Sequence, residues 1–246
     1  MADAIFADRR LAAIYDFLDA PERLDLDPYL AMAEEFGVQS VIDVGCGTGN
    51  LACRLAASSC EVVGIDPAAA SLDVARRKPY ADRVRWINGT AAALASIPSL
   101  SADLVTMTGN VAQVFVTDEE WSVALGACRG VIRPAGRLVF ETRDPSKEAW
   151  KAWNRERSYE QIDIPGIGQV EKWVELVDVD LPLVSFRYTF VFHADGAVIT
   201  SDSTLRFRSR SEVIDSLLAA GLSVESTRDA PDRSGLEFVF VARLSA

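Results

Sequence analysis

Short apolar runs alternate with segments of helical spacing over the first 141 residues. Val41-Ile-Asp-Val44 is a buried-strand pattern that ends in Gly45-Cys-Gly-Thr-Gly49, and residues 51–57 return to helical spacing, so a strand passes through a glycine loop into a helix. Residues 61–66 repeat the unit, with Pro67 opening a helix that Pro79 closes. Residues 84–87, 103–107 and 137–141 read as three further strands. A capping box of Thr117 with Glu120 starts the helix that carries Trp121 and Leu125, and the Pro134-Ala-Gly136 turn ends it. Such alternation predicts an α/β domain with a parallel sheet covered on both faces. Two helices lead into it: an amphipathic one over 11–18, and one that begins at Asp27-Pro28 and stops at Gly37.

After residue 141 the pattern becomes all-β. Three alternating segments, 170–180, 184–193 and 197–208, predict an antiparallel meander, the last two joined by a hairpin turn at Ala194-Asp-Gly196. A second capping box, Ser209 with Glu212, returns the chain to α/β, with Val213, Ile214, Leu217 and Leu218 as the buried stripe and Gly221 closing the helix. Strands over 222–226 and 237–242 follow, and the connection between them contains no helix, so they pair antiparallel. The organisation expected is a cofactor-binding core with its leading helices (1–144), an inserted antiparallel β lid (145–208), and a helix with two strands completing the core (209–246).

With 36 acidic against 25 basic residues, a net charge of −11, the chain is ill-suited to polyanions, so neither nucleic acid nor an anionic membrane is an expected partner. No apolar run approaches the ~20 residues of a membrane helix, and the opening residues lack the basic-then-apolar order of a signal peptide. A cytoplasmic location is expected. The four cysteines form no CxxC pair and the single histidine is His193, so no metal site is expected and the thiols read as reduced apolar fillers.

The loop Gly45-Cys-Gly47-Thr-Gly49 stands where open α/β sheets bind nucleotide-like ligands. Its spacing is G-x-G-x-G, not the G-x-G-x-x-G that seats a pyrophosphate, which disfavours a dinucleotide. Asp66 closes the second strand, where its carboxylate can accept both hydroxyls of a ribose. Together these describe a pocket for a nucleoside without phosphates, against which a ligand-free structural turn is the plain alternative.

At these residues the sequence resembles the class I S-adenosylmethionine-dependent methyltransferases. Residues 41–50 are similar to the first motif of that family and Gly64-Ile-Asp66 to its acidic ribose-binding position. The resemblance implies a Rossmann-like seven-stranded sheet of order 3-2-1-4-5-7-6 with the last strand antiparallel, and S-adenosylmethionine as cofactor. It places Asp43, Gly45, Cys46, Gly47 and Gly49 at the methionine part, Asp66 and Pro67 at the ribose, Thr90 or its backbone at the adenine, where the family often carries an acidic residue, and Thr108 at the exit of the fourth strand.

Methyl transfer from a sulfonium asks a protein chiefly to align a nucleophile and exclude water. Candidates for this lie at the carboxyl ends of the strands: Asn110 and Gln113 to orient an acceptor, Glu141 as a general base or an anchor for an acceptor cation, and Arg143 to bind an acceptor carboxylate or phosphate. The competing reading pairs Glu141 with Arg143 or has them cap neighbouring backbone. Tyr15 and Asp16 lie in the leading helices, which fold over the cofactor in related small-molecule enzymes. In the meander Phe186, Tyr188, Phe190 and Phe192 share a face expected to pack on the core sheet or on a partner subunit, and His193 is expected at an exposed tip rather than in catalysis. The expected activity is methylation of a small-molecule nitrogen or oxygen, with association into a homodimer as one assembly the resemblance leaves open. A catalytically silent methyltransferase-like protein, an NAD-dependent oxidoreductase and a nucleic-acid methyltransferase are the competing readings.

Overall fold

The computed structural model describes residues 2–18 and 23–245. Strands β1 (Ser40–Val44), β2 (Glu61–Asp66), β3 (Val84–Asn88), β4 (Ala102–Met107) and β5 (Ile132–Arg143) pair in parallel in the order β3-β2-β1-β4-β5. The inserted sheet follows, with β6 (Glu160–Ile164), β7 (Gly168–Asp180), β8 (Leu183–Phe192) and β9 (Ala197–Arg206) paired antiparallel in sequence order. Strands β10 (Leu222–Asp229) and β11 (Glu237–Leu244) complete the first sheet, with β11 inserted beside β5 and antiparallel to both its neighbours. This is the order expected from the resemblance.

The helices are α1 (Ala4–Ala7), α2 (Arg9–Ile14), α3 (Asp27–Glu35), α4 (Asn50–Ala57), α5 (Ala69–Ala75), α6 (Asp118–Val131), α7 (Arg155–Ser158) and α8 (Arg210–Ala219). Both capping boxes form as read: Thr117 and Glu120 satisfy each other's backbone at the start of α6, as do Ser209 and Glu212 at α8. Because successive side chains of a strand point to opposite faces, the sheet carries two cores. One contains Ile42, Val44, Val105, Leu138, Phe140 and Phe240 under α6 and α8; the other contains Val41, Leu104, Val139, Val239 and Val241 under α3 and α4. Among the described residues no helix is long and apolar enough to cross a membrane.

Four expectations change. The helix read over 11–18 ends at Ile14 and tightens into a 3-10 turn, Tyr15–Phe17, preceded by the separate helix α1. The inserted sheet has a fourth strand, β6, whose few apolar residues gave little signal. Leu218 is 54% exposed, so the buried side of α8 is carried by Val213 and Leu217. The aromatic face of the meander meets the N-terminal segment rather than the core sheet: Phe190 and Phe192 pack with Ile5, Leu11 and Ile14, while Phe186 packs on Trp153. That segment therefore lies between the inserted sheet and the first sheet's β1–β3 half, tied to the inserted sheet by Ile5 N donating to Ser201 and to α5 by Ser71 donating to the Phe6 carbonyl.

Candidate active site

The parallel strands end together at the carboxyl edge of the sheet, where each strand-to-helix turn leaves polar backbone to be satisfied. After β1 the chain turns through Gly45, Gly47 and Gly49, all in the left-handed region at φ +71°, +52° and +80°. The turn is fixed from β2: Gly45 N and Cys46 N donate to the Ile65 carbonyl at 2.8 and 3.2 Å, and Gly47 N donates to Asp66 at 2.8 Å. The other Asp66 oxygen accepts from Ala68 N at 2.7 Å, past the exposed Pro67. Asp66 thus stands where the sequence put it, with its carboxylate ordering the loop through an amide on each oxygen.

Three glycines serve different ends. A Cβ on Gly45 would lie 2.5 Å from a Val111 methyl, and one on Gly49 would lie 2.5 Å from the Trp86 ring, whereas one on Gly47 would meet open space. Gly47 is therefore the bare backbone a ligand can approach. We expect Gly45→Ala to remain impaired in Val111→Ala, because removing the two methyl clashes leaves the Val111 Cβ at 3.2 Å and the positive φ, the latter at a cost of about 1 kcal/mol or more; urea unfolding of the single and double variants measures how much the methyls contribute.

Asp43, at the heart of β1, is 1% exposed and accepts from the Thr106 hydroxyl at 2.8 Å. Burial, reinforced by the charge of Asp66, pushes its carboxyl up to about 7. Burial also raises the Cys46 thiol, so this cysteine is a protonated filler within the loop; among the described residues all four cysteines are free. Asn88 closes the neighbouring turn by donating to the carbonyls of Asp66 and Pro67, both at 3.0 Å. Thr90 is exposed beyond it and its hydroxyl caps nothing.

Asp16 does more than the leading-helix reading anticipated. One oxygen accepts from Thr48 at 2.6 Å and from Asn50 at 3.0 Å, the other meets Lys78 at 2.6 Å, and Lys78 also donates to Asn50 at 2.5 Å. The N-terminal segment is thereby latched onto the glycine loop, which brings Tyr15, half-buried against Phe6, to the same edge. Asp16→Ala should release this latch: amide hydrogen exchange over residues 4–18 is expected to rise at least tenfold, with the β4 and β5 amides unchanged.

After β4, half-buried Thr108 leads into Gly109 and Asn110, consecutive left-handed residues at φ +70° and +61°. They aim two amides at Glu141: Asn110 N donates at 3.0 Å and Gly109 adds a second backbone contact, while the Tyr29 hydroxyl donates to the other oxygen. Burial first, then the charge of Glu237, pushes the Glu141 carboxyl up to about 7. Glu237 opens β11 in register with Arg143 and gathers Arg233 at 2.8 Å, the Asn110 amide at 3.1 Å and Arg143 at 3.5 Å. Arg143 also donates to Gln113 at 2.9 Å, and its guanidinium lies 5.7 Å from the Trp153 ring centre.

The sequence candidates Asn110, Gln113, Glu141 and Arg143 therefore converge; Glu141 and Arg143 do not pair with each other, and Glu141 caps neighbouring backbone, as the other form of the competing reading had it. Glu141 is a brace for the 108–110 turn, and Arg143 answers to Glu237. Sequence reasoning missed Tyr29, Lys78, Glu237 and Arg208, the last of which is buried and donates to the carbonyls of Ala112, Phe115 and Thr117. The capping signal at Thr117 was visible; the arginine that grips the loop before it was not. His193 pairs with Glu171 at 2.7 Å on the surface of the inserted sheet. A cavity of about 420 Å³ lies at the opposite edge of the sheet, lined by Ser40, Arg83, Arg85 and Arg133, away from the strand ends where such sheets bind ligands.

Sheet order, glycine loop and acidic second-strand terminus define a class I methyltransferase fold. Residues 41–136 match the family model described as a methyltransferase domain. The whole chain superposes on the methyltransferase CcbJ of Streptomyces caelestis (TM-score 0.79, 19% identity, 98% of each chain covered). It likewise resembles a sugar N-methyltransferase from Streptoalloteichus (TM-score 0.67, 16% identity, 88% of this chain and 86% of that one). In sequence it is similar to a ubiquinone biosynthesis O-methyltransferase of Pectobacterium atrosepticum, 32% identical over 120 residues, or 48% of each chain. The chain spans about half the length of the curated relatives it matches. The chain thus has the class I methyltransferase fold, with its match to a methyltransferase domain confined to residues 41–136.

Proposed function

We propose that this chain transfers a methyl group from S-adenosylmethionine to a nitrogen of a small-molecule acceptor. The observation that carries the reading is the bare Gly47 backbone beside Asp66, whose carboxylate closes β2 one strand away. These residues fit the cofactor: a carboxylate oxygen that already accepts one amide retains a lone pair for a ribose hydroxyl, and Asp43 is the buried acid nearest the start of the loop. The cofactor would supply a methyl on positive sulfur, which passes to the acceptor by in-line displacement as the C–S electrons return to sulfur.

The protein's share is to bind, orient and exclude water. In this reading Asp66 holds the ribose, the Gly45 to Gly49 loop backs the methionine part, Asp16 and Lys78 keep the N-terminal segment closed over it, and Tyr15 shields the methyl. Asn110 orients the acceptor, and Gln113, buried between Arg143 and the Arg206 carbonyl, positions Arg143. Glu141 acts through the turn it braces, as a positioning residue. Nitrogen is favoured because a neutral amine needs no strong base to attack a sulfonium, and the two acids at this turn are already engaged, Glu141 through both oxygens and Glu237 by the Asn110 amide and two arginines. Likeness to a sugar N-methyltransferase supports the same choice. Incubation with S-adenosylmethionine and matched amines and alcohols tests it: S-adenosylhomocysteine release dependent on the amines is expected, and release dependent on the alcohols alone would overturn the choice of nitrogen.

A further inference from the structure

In a chain of net charge −11, four arginines surround the loop after β4 and the start of β11: Arg143, Arg206, Arg208 and Arg233. The acids facing them are Glu237, Glu141, Asp232, Glu212 and the exposed Asp118. Three of the four are committed, apart from the Arg206 Nε, which is buried without a partner. Arg208 is used by three carbonyls, Arg206 by the Val116 carbonyl and Asp118, and Arg233 by Glu237 and Asp232.

Arg143 is not. Its Nη1 donates to Gln113, its Nε stands 3.5 Å from Glu237, longer than a good hydrogen bond, and among the described residues no hydrogen bond is found for its Nη2. Its side chain is 20% exposed, so unspent guanidinium donors remain within reach of a ligand. A second, independent observation lies beside it. Asn110 is 3% exposed and commits its amide nitrogen to Glu237 Oε1, which leaves its own Oδ1 buried without a partner. An orphaned buried acceptor of this kind costs about 1–3 kcal/mol unless a ligand donor satisfies it. Asn110 and Arg143 meet on the same Glu237 oxygen, so the orphan acceptor and the unspent donors are neighbours.

We infer that the acceptor is an amine that also bears a carboxylate close to its nitrogen, in the manner of an α-amino acid, with Arg143 receiving the carboxylate and Asn110 Oδ1 an N–H of the amine. A guanidinium fork matches a carboxylate in plane and charge, and the short spacing between the two protein groups suits a ligand whose donor and anion are one carbon apart. Trp153, against Phe186 at 4.7 Å between ring centres, walls the approach to Arg143 and would flank the acceptor's remainder. This rests on the methyl-transfer reading, with the acceptor nitrogen forming the new N–C bond and its surplus proton leaving to solvent.

The test uses the full chain, free α-amino acids as probes, and their α-amides and decarboxylated amines as matched controls, with S-adenosylhomocysteine release and S-adenosylhomocysteine affinity both measured. We expect turnover on amino acids at least tenfold above that on the controls. Arg143→Gln should raise the KM for the amino acid at least tenfold, leaving kcat within threefold and S-adenosylhomocysteine affinity unchanged; Arg233 still holds Glu237 in this variant, so the strand end keeps its ion pair. Asn110→Gly, compatible with the positive φ, should lower turnover on amino acids and amides alike, since both carry the amine. Equal or better turnover on the carboxylate-free controls overturns the inference, as does turnover on no member of either set while S-adenosylhomocysteine binds. Arg143→Gln weakening S-adenosylhomocysteine instead would assign the arginine to the cofactor's own carboxylate and equally overturn it. Failure of S-adenosylhomocysteine to bind the unaltered chain would count against the methyl-transfer reading itself.

Discussion

Asp66→Ala is expected to weaken S-adenosylhomocysteine binding by at least two orders of magnitude, and Asp66→Asn by about one. The carboxylate has two tasks. It accepts the amides of Gly47 and Ala68, which fixes the loop, and in the proposed complex it also accepts the ribose hydroxyls. Hydrogen bonds to a charged acceptor are each worth about 1.5–3 kcal/mol, so losing two of them gives a hundredfold or more. Asparagine keeps the shape and one acceptor oxygen but offers an NH₂ where the second amide points, so it retains part of the loop order. Isothermal titration of the three proteins reads the series; equal affinity in all three would show that the ribose is held elsewhere.

The second large effect is on stability against pH. Asp43 and Glu141 both titrate near 7 in the folded chain, against ordinary values of 3.8 and 4.5, because burial disfavours their charged forms. Between about pH 4.5 and 7 the folded state keeps protons that the unfolded chain has released. The unfolded state then binds fewer protons, so the unfolding free energy falls as pH rises through this window, by up to about 1.4 kcal/mol per pH unit for each group, and levels off above it. Carboxylates held low by arginines, such as Glu35 by Arg228 and Asp202 by Arg187, act in the opposite sense, and only as the medium becomes more acidic. Urea midpoints measured from pH 4.5 to 8 should therefore decline toward neutrality. Asp43→Asn and Glu141→Gln, which keep shape and remove the titration, should each flatten the decline; midpoints that rise steadily from pH 5 to 7 would contradict both assignments.

What could be read from the sequence was what depends on neighbours along the chain. The glycine loop, Asp66 at the end of β2 and the two capping boxes are local patterns, and each stands as read. The sheet order came with the resemblance. Elements with sparse apolar signal were harder: β6 offers two isoleucines in five residues, and the leading helix breaks at Ile14 because Asp16 is drawn out to the glycine loop. The site's second half depends on register. Only the pairing of β11 with β5 brings Glu237 beside Arg143, and only the return of β9 brings Arg208 over the loop at 112–117; no spacing in the sequence announces either meeting. Likewise the aromatic face of β8 had a visible period but no visible partner, and its partner proved to be the first helices of the chain.

The central claim is that the Gly45 to Gly49 loop and Asp66 form a site for an adenosyl sulfonium. Calorimetric titration of the unaltered chain with S-adenosylhomocysteine, with NAD as control, tests it most directly. One saturable site of micromolar or tighter affinity, lost in Asp66→Ala and unmatched by NAD, is the predicted result. The absence of any heat of binding at millimolar S-adenosylhomocysteine, from protein shown to be folded, would contradict the account.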